Sequence, residues 1–262
     1  MKFPKKSLGQ NFLIDRNIIK KIVTTIELEN KNILEIGPGR GALTEEILKK
    51  NPKSLFLIEK DFELAQFLKE KYNLNKNIKI YNNDILKIDV EKILEKKTII
   101  IGNLPYNISS QILTKFIKFK KWPPKFSDLI FMFQKELGDK ISSSFPSKNY
   151  GRITILTKYR LKILNKFLVS LNCFFPKPKV TSMVIYFIPK KNCKYKIRKI
   201  QSIEKVTNIL FSNKRKMINK NIKKILNEQK LSQIKEINLS SRPAEINPEL
   251  YYKISKIYEM EK

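Results

Sequence analysis

Apolar runs and helical patterns alternate along the first two thirds of the chain, at the spacing of strand–helix–strand units. Helices are predicted at 43–50 and 62–72, where apolar residues recur every three or four positions. Short apolar runs bounded by turn residues predict strands at 32–36, 54–58, 78–82, 98–101, 128–133, 161–171 and 180–188. The pattern therefore predicts an α/β fold, with parallel strands joined by helices in a doubly wound sheet.

The pattern changes after the sequence Pro-Lys-Lys-Asn at 189–192. Helical segments are predicted at 203–211, 217–226 and 250–258, and no strand-like run follows. We therefore expect a domain boundary near residue 190, with a large α/β domain at 1–189 and a small helical domain at 190–262.

Glycines and acidic residues follow successive predicted strands. Gly37-Pro-Gly-Arg-Gly41 comes after the first strand and before a helix, the context of a nucleotide-binding loop, although a tight turn has the same appearance. Glu59 ends the second strand, where a carboxylate can accept both hydroxyls of a ribose, and Asp84 follows the third, where it can bind an adenine edge. Because ligands bind at the carboxyl ends of parallel strands, these groups are expected to converge on one cleft.

Asn103-Leu104-Pro105-Tyr106 follows the fourth predicted strand, 98–101. The Asn103 amide can accept a hydrogen bond from an exocyclic amine, and the turn stiffened by Pro105 can aim a backbone carbonyl at the same group. Tyr106 offers a flat face on which a base can stack. The alternative is an ordinary Asn-Pro loop, but the neighbouring strand-end residues favour an adenine-binding role.

The net charge of +30, from 54 basic and 24 acidic residues, indicates a polyanionic partner, with nucleic acid first. The basic residues are mostly Lys, as expected from an AT-rich genome, but such bias does not explain the shortage of Asp and Glu. No run of about 18 apolar residues and no signal sequence is present, so we expect a cytoplasmic protein that does not bind a membrane.

The chain contains no histidine, which excludes His-based acid/base catalysis and the commonest metal ligand. The two cysteines, Cys173 and Cys193, are not spaced as a zinc knuckle, and no disulfide framework is indicated. We therefore expect an activity that needs no metal.

These features resemble the class I S-adenosylmethionine-dependent methyltransferases, which have a Rossmann-like sheet, and within them the rRNA adenine N6-dimethyltransferase family. The motif EIGPGRGALT at 35–44 and the motif NLPYNIS at 103–109 both match that family. Further segments are similar to it: KSLGQNFL at 6–13, FQKE at 133–136, YGR at 150–152 and FPKPKVTS at 175–182. The resemblance covers nearly the whole chain.

The resemblance implies that S-adenosyl-L-methionine binds to Asn11, Leu13, Gly37, Glu59, Asp84 and Asn103. It also implies that the Asn103 side chain and the Leu104 carbonyl accept from adenine N6, with Pro105 shaping the turn and Tyr106 stacking on a flipped base. Phe175 is a candidate for the other face of the base, or a core aromatic. Lys148, Arg152, Lys177, Lys179, Lys214, Arg215 and Lys216 are candidates for phosphate contacts.

The helical segments NKRKMINKN at 213–221 and RPAE at 242–245 are similar to the housekeeping branch of the family, which modifies small-subunit rRNA. The resemblance implies dimethylation of two adjacent adenosines in a hairpin near the 3′ end of that rRNA, coupled to assembly of the small ribosomal subunit, by a monomer. Two alternatives stay open: a methyltransferase that acts on large-subunit rRNA, and a ribosome-assembly or nucleic-acid-binding factor without catalysis.

Overall fold

The structure is a computed structural model that describes residues 10–260. The chain forms two compact units. Among the described residues, the first unit contains 10–119, 123–138 and 163–189, and the second contains 120–122, 139–162 and 190–260. These two units differ from the two domains expected from the sequence, because the expected boundary at residue 190 placed 120–122 and 139–162 in the first domain.

Nine strands are present in the described part of the chain. They are β1 (Phe12–Leu13), β2 (Asn32–Ile36), β3 (Ser54–Glu59), β4 (Ile78–Asn82), β5 (Thr98–Asn103), β6 (Phe126–Gln134), β7 (Leu161–Val169), β8 (Phe174–Phe175) and β9 (Ser182–Pro189). Seven of them form one sheet in the order β4-β3-β2-β5-β6-β9-β7, and β1 pairs with β8 separately. The predicted strands are thus all present, with ends shifted by one or two residues.

Within the run β4-β3-β2-β5-β6, each pair of adjacent strands is parallel, as the doubly wound pattern predicts. The chain moves outward from β2 to β4 and then returns to add β5 on the other side of β2. This reversal places a crevice at the carboxyl ends of β2 and β5. The expectation of parallel strands fails at β9, which pairs antiparallel with β6.

Eleven α-helices lie in the described residues. They are α1 (Arg16–Val23), α2 (Ala42–Leu48), α3 (Phe62–Lys71), α4 (Val90–Ile93), α5 (Ser109–Ile117), α6 (Lys135–Ile141), α7 (Arg152–Arg160), α8 (Ile200–Leu210), α9 (Asn219–Ile222), α10 (Glu228–Leu231) and α11 (Pro248–Glu259). The helix predicted at 217–226 is only the short α9. After it, the bonds from Lys224 N to Asn221 O and from Ile225 N to Ile222 O span three residues, and a single four-residue bond, from Leu226 N to Ile222 O, follows.

Strand alternation buries both faces of the central sheet in the first unit. Ile33 and Ile99 point to one face, in a cluster with Ile22 of α1 and Ile47 of α2. The other face is rich in aromatic rings, with Phe116 of α5 against Phe126 and Phe131 of β6 at centroid distances of 5.9 and 5.6 Å. Because helices cover both faces, β2 and β5 are almost continuous apolar runs.

Three tyrosine hydroxyls donate to backbone carbonyls within the second unit. Tyr252 of α11 donates to the carbonyl of Ile155 in α7 at 2.9 Å, and Tyr251 donates to the carbonyl of Pro243 at 2.7 Å. Tyr150 donates to the carbonyl of Ile246 at 2.9 Å. Each buried hydroxyl therefore satisfies a backbone acceptor that helix packing has removed from water.

Within residues 10–260, no helix has the length and apolar character needed to cross a membrane. The same part of the chain has no group of three or more acidic or cysteine side chains arranged to hold a metal ion. Both cysteines are free thiols, Cys173 buried and Cys193 half-buried.

Candidate active site

A cavity of about 570 Å³ opens at the carboxyl ends of β2, β3 and β5 in the first unit. Every residue that the sequence placed in a cofactor or catalytic role lines it: Asn11, Leu13, Gly37, Glu59, Asp84, Asn103, Leu104, Pro105, Tyr106 and Phe175. The expected convergence of the strand-end residues on one cleft is therefore observed. The segment Lys6 to Gly9 of the N-terminal motif lies outside the described residues.

The glycine loop turns sharply between β2 and α2. Gly37, Gly39 and Gly41 all have positive φ angles, of 66°, 59° and 84°, a conformation that costs other residues free energy. A Cβ at Gly39 would lie 3.0 Å from two ring carbons of Phe12. The loop therefore exposes backbone to the cavity where side chains would be strained.

Glu59 is buried, with 6% of its surface exposed, and it braces the glycine loop. Its Oε2 accepts from the Gly39 amide at 3.0 Å, and its Oε1 accepts from the Asp61 amide at 2.9 Å. Burial raises the pKa of the Glu59 carboxyl, although these two hydrogen bonds oppose the shift. The residue predicted to contact a ribose therefore also fixes the adjacent loop.

Asp84 lies in the loop after β4, two residues beyond Asn82, the last residue of the strand. Its carboxylate accepts from the Leu86 amide at 2.9 Å and pairs with the Lys60 ammonium at 2.9 Å. Partial burial on its own would raise the pKa of Asp84, but the Leu86 amide and Lys60 outweigh it and lower the pKa. Asp84 is thus held as an anion on the cavity wall.

Asn103 is the last residue of β5, and its side chain has a defined orientation. Its Nδ2 donates to the backbone carbonyl of Asn11 at 2.9 Å. Because only the NH₂ of an amide can donate to a carbonyl, this bond leaves Oδ1 as the acceptor facing elsewhere. No described residue donates to that Oδ1. Asn103 therefore presents a hydrogen-bond acceptor at the cavity.

Gly102 brings the turn at 103–106 close to the end of β2 and the glycine loop. A Cβ at this residue would lie 2.7 Å from the side chain of Leu104 and 3.1 Å from the carbonyl of Ile36. An alanine here would require the Leu104 side chain to move and the Ile36 carbonyl to shift by a few tenths of an ångström. The spacing between the two predicted motifs therefore depends on a glycine that the sequence pattern did not single out.

Tyr106 is anchored through its hydroxyl to β9. The hydroxyl and the Ser182 hydroxyl are 2.5 Å apart, and the Tyr106 carbonyl accepts from Ser109 at 3.1 Å. Burial raises the pKa of Tyr106, so the ring is uncharged at neutral pH. The hydroxyl and the backbone of Tyr106 are thus both held by hydrogen bonds, and the residue lines the cavity.

Phe12 and Arg40 line the cavity, and neither was predicted as a site residue. Phe12 pairs with Phe175 across β1 and β8, its ring packs on Gly39, and the Arg40 guanidinium lies 4.9 Å from the Phe12 ring centroid. Phe175 is 54% exposed, so it is not a core aromatic. Two-residue strands are too short to produce a periodic signal, so only the family motif pointed to this segment.

Glu35 is buried beneath the glycine loop and also lines the cavity. Its Oε2 accepts from the Thr44 hydroxyl at 2.6 Å. Burial raises the pKa of Glu35 to about 8, with the charge of Glu59 adding to the shift and the Thr44 bond opposing it. At neutral pH this carboxyl is mostly protonated, unlike a solvent-exposed glutamate.

The basic residues predicted to contact phosphate are mostly at the surface. Lys148, Lys177, Lys179, Lys214, Arg215 and Lys216 are exposed, whereas Arg152 is half-buried. The Nε of Arg152 has no hydrogen-bond partner among the described residues. Their exposure is compatible with phosphate contacts and equally with solvated side chains.

A family model described as ribosomal RNA adenine dimethylase matches residues 2–260. Ribosomal RNA small subunit methyltransferase A of Pelagibacter ubique is 44% identical over 256 residues, 97% of each chain. The same enzyme of Malacoplasma penetrans is 40% identical, over 96% of this chain and 91% of the relative. That of Coxiella burnetii (strain RSA 331) is 38% identical, over 97% of each.

Two solved structures have the same fold. A dimethyladenosine transferase from Plasmodium falciparum aligns with a TM-score of 0.74 and 24% identity, covering 93% of this chain and 95% of that one. The 23S rRNA methyltransferase ErmE aligns with a TM-score of 0.70 and 23% identity, covering 94% and 99%. The extent of the family match and the identity to full-length relatives lead to one conclusion: this chain belongs to the ribosomal RNA adenine dimethylase family.

Proposed function

We propose that this protein transfers methyl groups from S-adenosyl-L-methionine to N6 of two adjacent adenosines in a hairpin near the 3′ end of small-subunit rRNA. The product is N6,N6-dimethyladenosine, and the reaction accompanies assembly of the small subunit. The observation that carries this proposal is the Asn103 side chain, whose amide is oriented by Asn11 so that Oδ1 can accept from an amine. The names of relatives 38–44% identical support the choice of the small subunit.

The cavity suits S-adenosylmethionine in size and in the groups that line it. Its volume of about 570 Å³ falls in the range that encloses ligands of this size. Because Gly37 has no side chain, the methionine part of the cofactor would lie directly against its backbone. Glu59 would accept hydrogen bonds from the ribose hydroxyls, and Asp84 would accept one from the adenine amine. Asn11 and Leu13 of the N-terminal segment would complete the site.

S-adenosylmethionine supplies a methyl group that is activated by its own positive sulfur and leaves a neutral thioether. The protein therefore needs to position the acceptor amine rather than to activate a leaving group. The chain contains no histidine, and this chemistry does not require one. The established lack of an imidazole base is thus compatible with the proposed reaction.

Asn103 and Leu104 would hold the target amine. Asn103 Oδ1 and the Leu104 carbonyl would each accept one N6 hydrogen, which draws the nitrogen toward a tetrahedral geometry and concentrates its lone pair. Pro105 limits the backbone freedom of this turn, and Tyr106 would stack on the flipped base with Phe175 on its other side. After one methylation, one hydrogen still remains to direct the second.

Basic side chains outside the cavity would supply most of the RNA affinity through phosphate contacts. The net charge of +30 supports this role. We further propose that the helical part after residue 190 helps to recognise folded rRNA, and that the protein acts as a monomer on the ribosomal particle.

Transfer of labelled methyl groups to purified, unmethylated small subunits and separately to large subunits tests this proposal. Nucleoside analysis should find N6,N6-dimethyladenosine in the small-subunit rRNA alone. Label only in large subunits would support the alternative substrate instead. Tight, salt-sensitive binding to subunits without any methyl transfer would indicate an RNA-binding factor and contradict the proposed enzymatic activity.

A further inference from the structure

Lys115 connects the helix that follows the catalytic motif to the loop that follows β4. It lies in the last turn of α5, and its Nζ donates to the carbonyls of Leu86 at 3.1 Å and Ile88 at 2.6 Å. An ammonium group is a strong donor with no acceptor capacity, so two carbonyls are suitable partners. Leu86 and Ile88 are 29 and 27 residues away from Lys115 in the sequence.

The loop that Lys115 contacts is the one that places Asp84 and Ile85 on the cavity wall. Asp84 closes this loop from inside: its carboxylate accepts from the Leu86 amide, and its backbone carbonyl accepts from the Lys87 and Ile88 amides at 2.9 and 3.0 Å. Lys115 binds two other carbonyls of the same turn, those of Leu86 and Ile88. The turn is therefore held on two sides, once by Asp84 and once by α5.

The environment of Lys115 differs from that of a solvated surface lysine. The residue is half-buried, and burial lowers its pKa, while Asp89 and Asp84 oppose the shift. Desolvation of an ammonium costs free energy unless hydrogen bonds replace the lost water. The two carbonyl bonds provide that replacement, so the contact is a fixed part of the fold.

The start of α5 is fixed to the catalytic motif. Ser109 donates to the Tyr106 carbonyl at 3.1 Å, and the Ile108 amide donates to the Pro105 carbonyl at 3.2 Å. A helix of nine residues is a rigid rod between these bonds and Lys115. The position of the 84–88 loop is therefore tied, through α5, to the turn that carries Tyr106.

We propose that Lys115 is a positioning residue for the methyl donor: it sets the place of the Asp84 turn relative to the catalytic motif and so determines affinity for the adenosine part of the cofactor. The inference rests on the proposed function, because it assigns Asp84 to the cofactor. Lys115 does not line the cavity and touches neither ligand, so its effect is transmitted entirely through the loop.

Calorimetric titration of the full chain with S-adenosylhomocysteine tests this inference, with three variants. Lys115→Met removes both hydrogen bonds while keeping much of the aliphatic stem, and Lys115→Arg retains the charge and N–H donors. Lys125→Met is a matched control, because Lys125 Nζ donates to a single carbonyl, that of Leu94, at 2.8 Å, and neither residue lines the cavity.

We expect Lys115→Met to weaken S-adenosylhomocysteine binding about tenfold. With saturating cofactor, its kcat on small subunits should stay within about twofold of wild type. The loss of affinity should appear instead as a higher KM for S-adenosylmethionine. Lys115→Arg should restore most of the affinity, and Lys125→Met should bind as wild type. If Lys115→Met does not fold, Lys115→Gln, whose shorter side chain ends in an uncharged NH₂ that can still donate, should show a smaller loss in the same direction.

Unchanged binding by Lys115→Met, or an equal loss in Lys125→Met, would overturn the inference and leave the proposed function standing. Loss of kcat at saturating cofactor with normal affinity would overturn it as well. If the wild-type chain itself failed to bind S-adenosylhomocysteine, the proposed function would fail, and the inference with it.

Discussion

The side-chain nitrogen of Asn103 donates to the backbone carbonyl of Asn11 across 92 residues of sequence, at 2.9 Å. This bond joins the end of β5 to the N-terminal segment that packs on the glycine loop through Phe12. It also decides which end of the amide faces the cavity. Because of this contact, Asn103 presents its acceptor oxygen, Oδ1, to the cavity and not its donor nitrogen.

Asn103→Ala should lower kcat about 100-fold or more, since it removes the acceptor that we propose positions the reacting amine. RNA affinity should stay close to wild type, because phosphate contacts elsewhere supply it. Single-turnover methyl transfer and filter binding to rRNA would measure the two effects separately.

Asn75→Ala, at an exposed asparagine outside the cavity, is the control for this change and should leave both quantities unaltered. An equal loss of transfer and RNA binding in Asn103→Ala would mean that Asn103 has been assigned the wrong role.

Gly39→Ala should weaken binding of S-adenosylhomocysteine about tenfold. The new Cβ would meet the Phe12 ring at 3.0 Å, and φ of 59° costs an alanine about 1–2 kcal/mol. Calorimetry measures the affinity, and a thermal melt reports the accompanying loss of stability.

Gly151→Ala is a matched control, because nothing lies within 4 Å of a Cβ there and φ of −177° is ordinary extended backbone. It should bind the ligand as the wild type does. Equal weakening in both variants would contradict the role assigned to the glycine loop.

Tyr106→Ala should lower kcat about 5- to 150-fold, which corresponds to about 1–3 kcal/mol of base stacking. Tyr106→Phe keeps the ring and loses only the hydrogen bond to Ser182, so its loss should be smaller, at most about tenfold. Methyl transfer under saturating cofactor distinguishes the two. Similar losses in Ala and Phe variants would show that the hydroxyl, not the ring face, matters.

The raised pKa of Glu35, about 8, predicts that stability falls as pH rises. Below the ordinary pKa of about 4.5, folded and unfolded states both hold the proton, and the buried carboxyl costs nothing extra. Between that pH and about 8 the folded state keeps a proton that the unfolded state releases, so unfolding becomes easier by up to about 1.4 kcal/mol per pH unit.

Glu35→Gln can still accept from Thr44 but cannot ionise, so its free energy of unfolding should fall less between pH 5 and about 8 than that of the wild type. Urea denaturation across this range measures the difference. Glu29→Gln, at an exposed glutamate, controls for the lost carboxylate. Parallel pH profiles for wild type and Glu35→Gln would contradict the prediction.

The sequence predicted the strands around the site well because β2 and β5 are buried on both faces and appear as unbroken apolar runs. Glu59 was placed correctly at the end of β3, since the carboxyl end of a strand follows from its apolar pattern. The gathering of Gly37, Glu59, Asp84 and Asn103 around one cavity then follows from parallel topology, whereas Leu13 and Phe175 reach it from the β1–β8 pair and Asn11 directly precedes β1.

The remaining features depend on contacts between residues far apart in sequence. The bond from Asn103 to Asn11 and the contact of Lys115 with Leu86 leave no trace in local periodicity. The antiparallel direction of β9 also depends on its partner β6, and an apolar run has the same appearance in either direction. Residues 139–162 join the second unit through long-range packing, so composition gave no boundary there.

A crystal structure of the protein with S-adenosylhomocysteine and adenosine would test the central claim most directly. We predict that the cofactor ribose contacts Glu59, that its adenine lies beside Asp84, and that N6 of the bound adenosine lies within hydrogen-bond distance of Asn103 Oδ1. A cofactor bound outside this cavity, or an adenosine whose N6 points away from Asn103, would contradict the account.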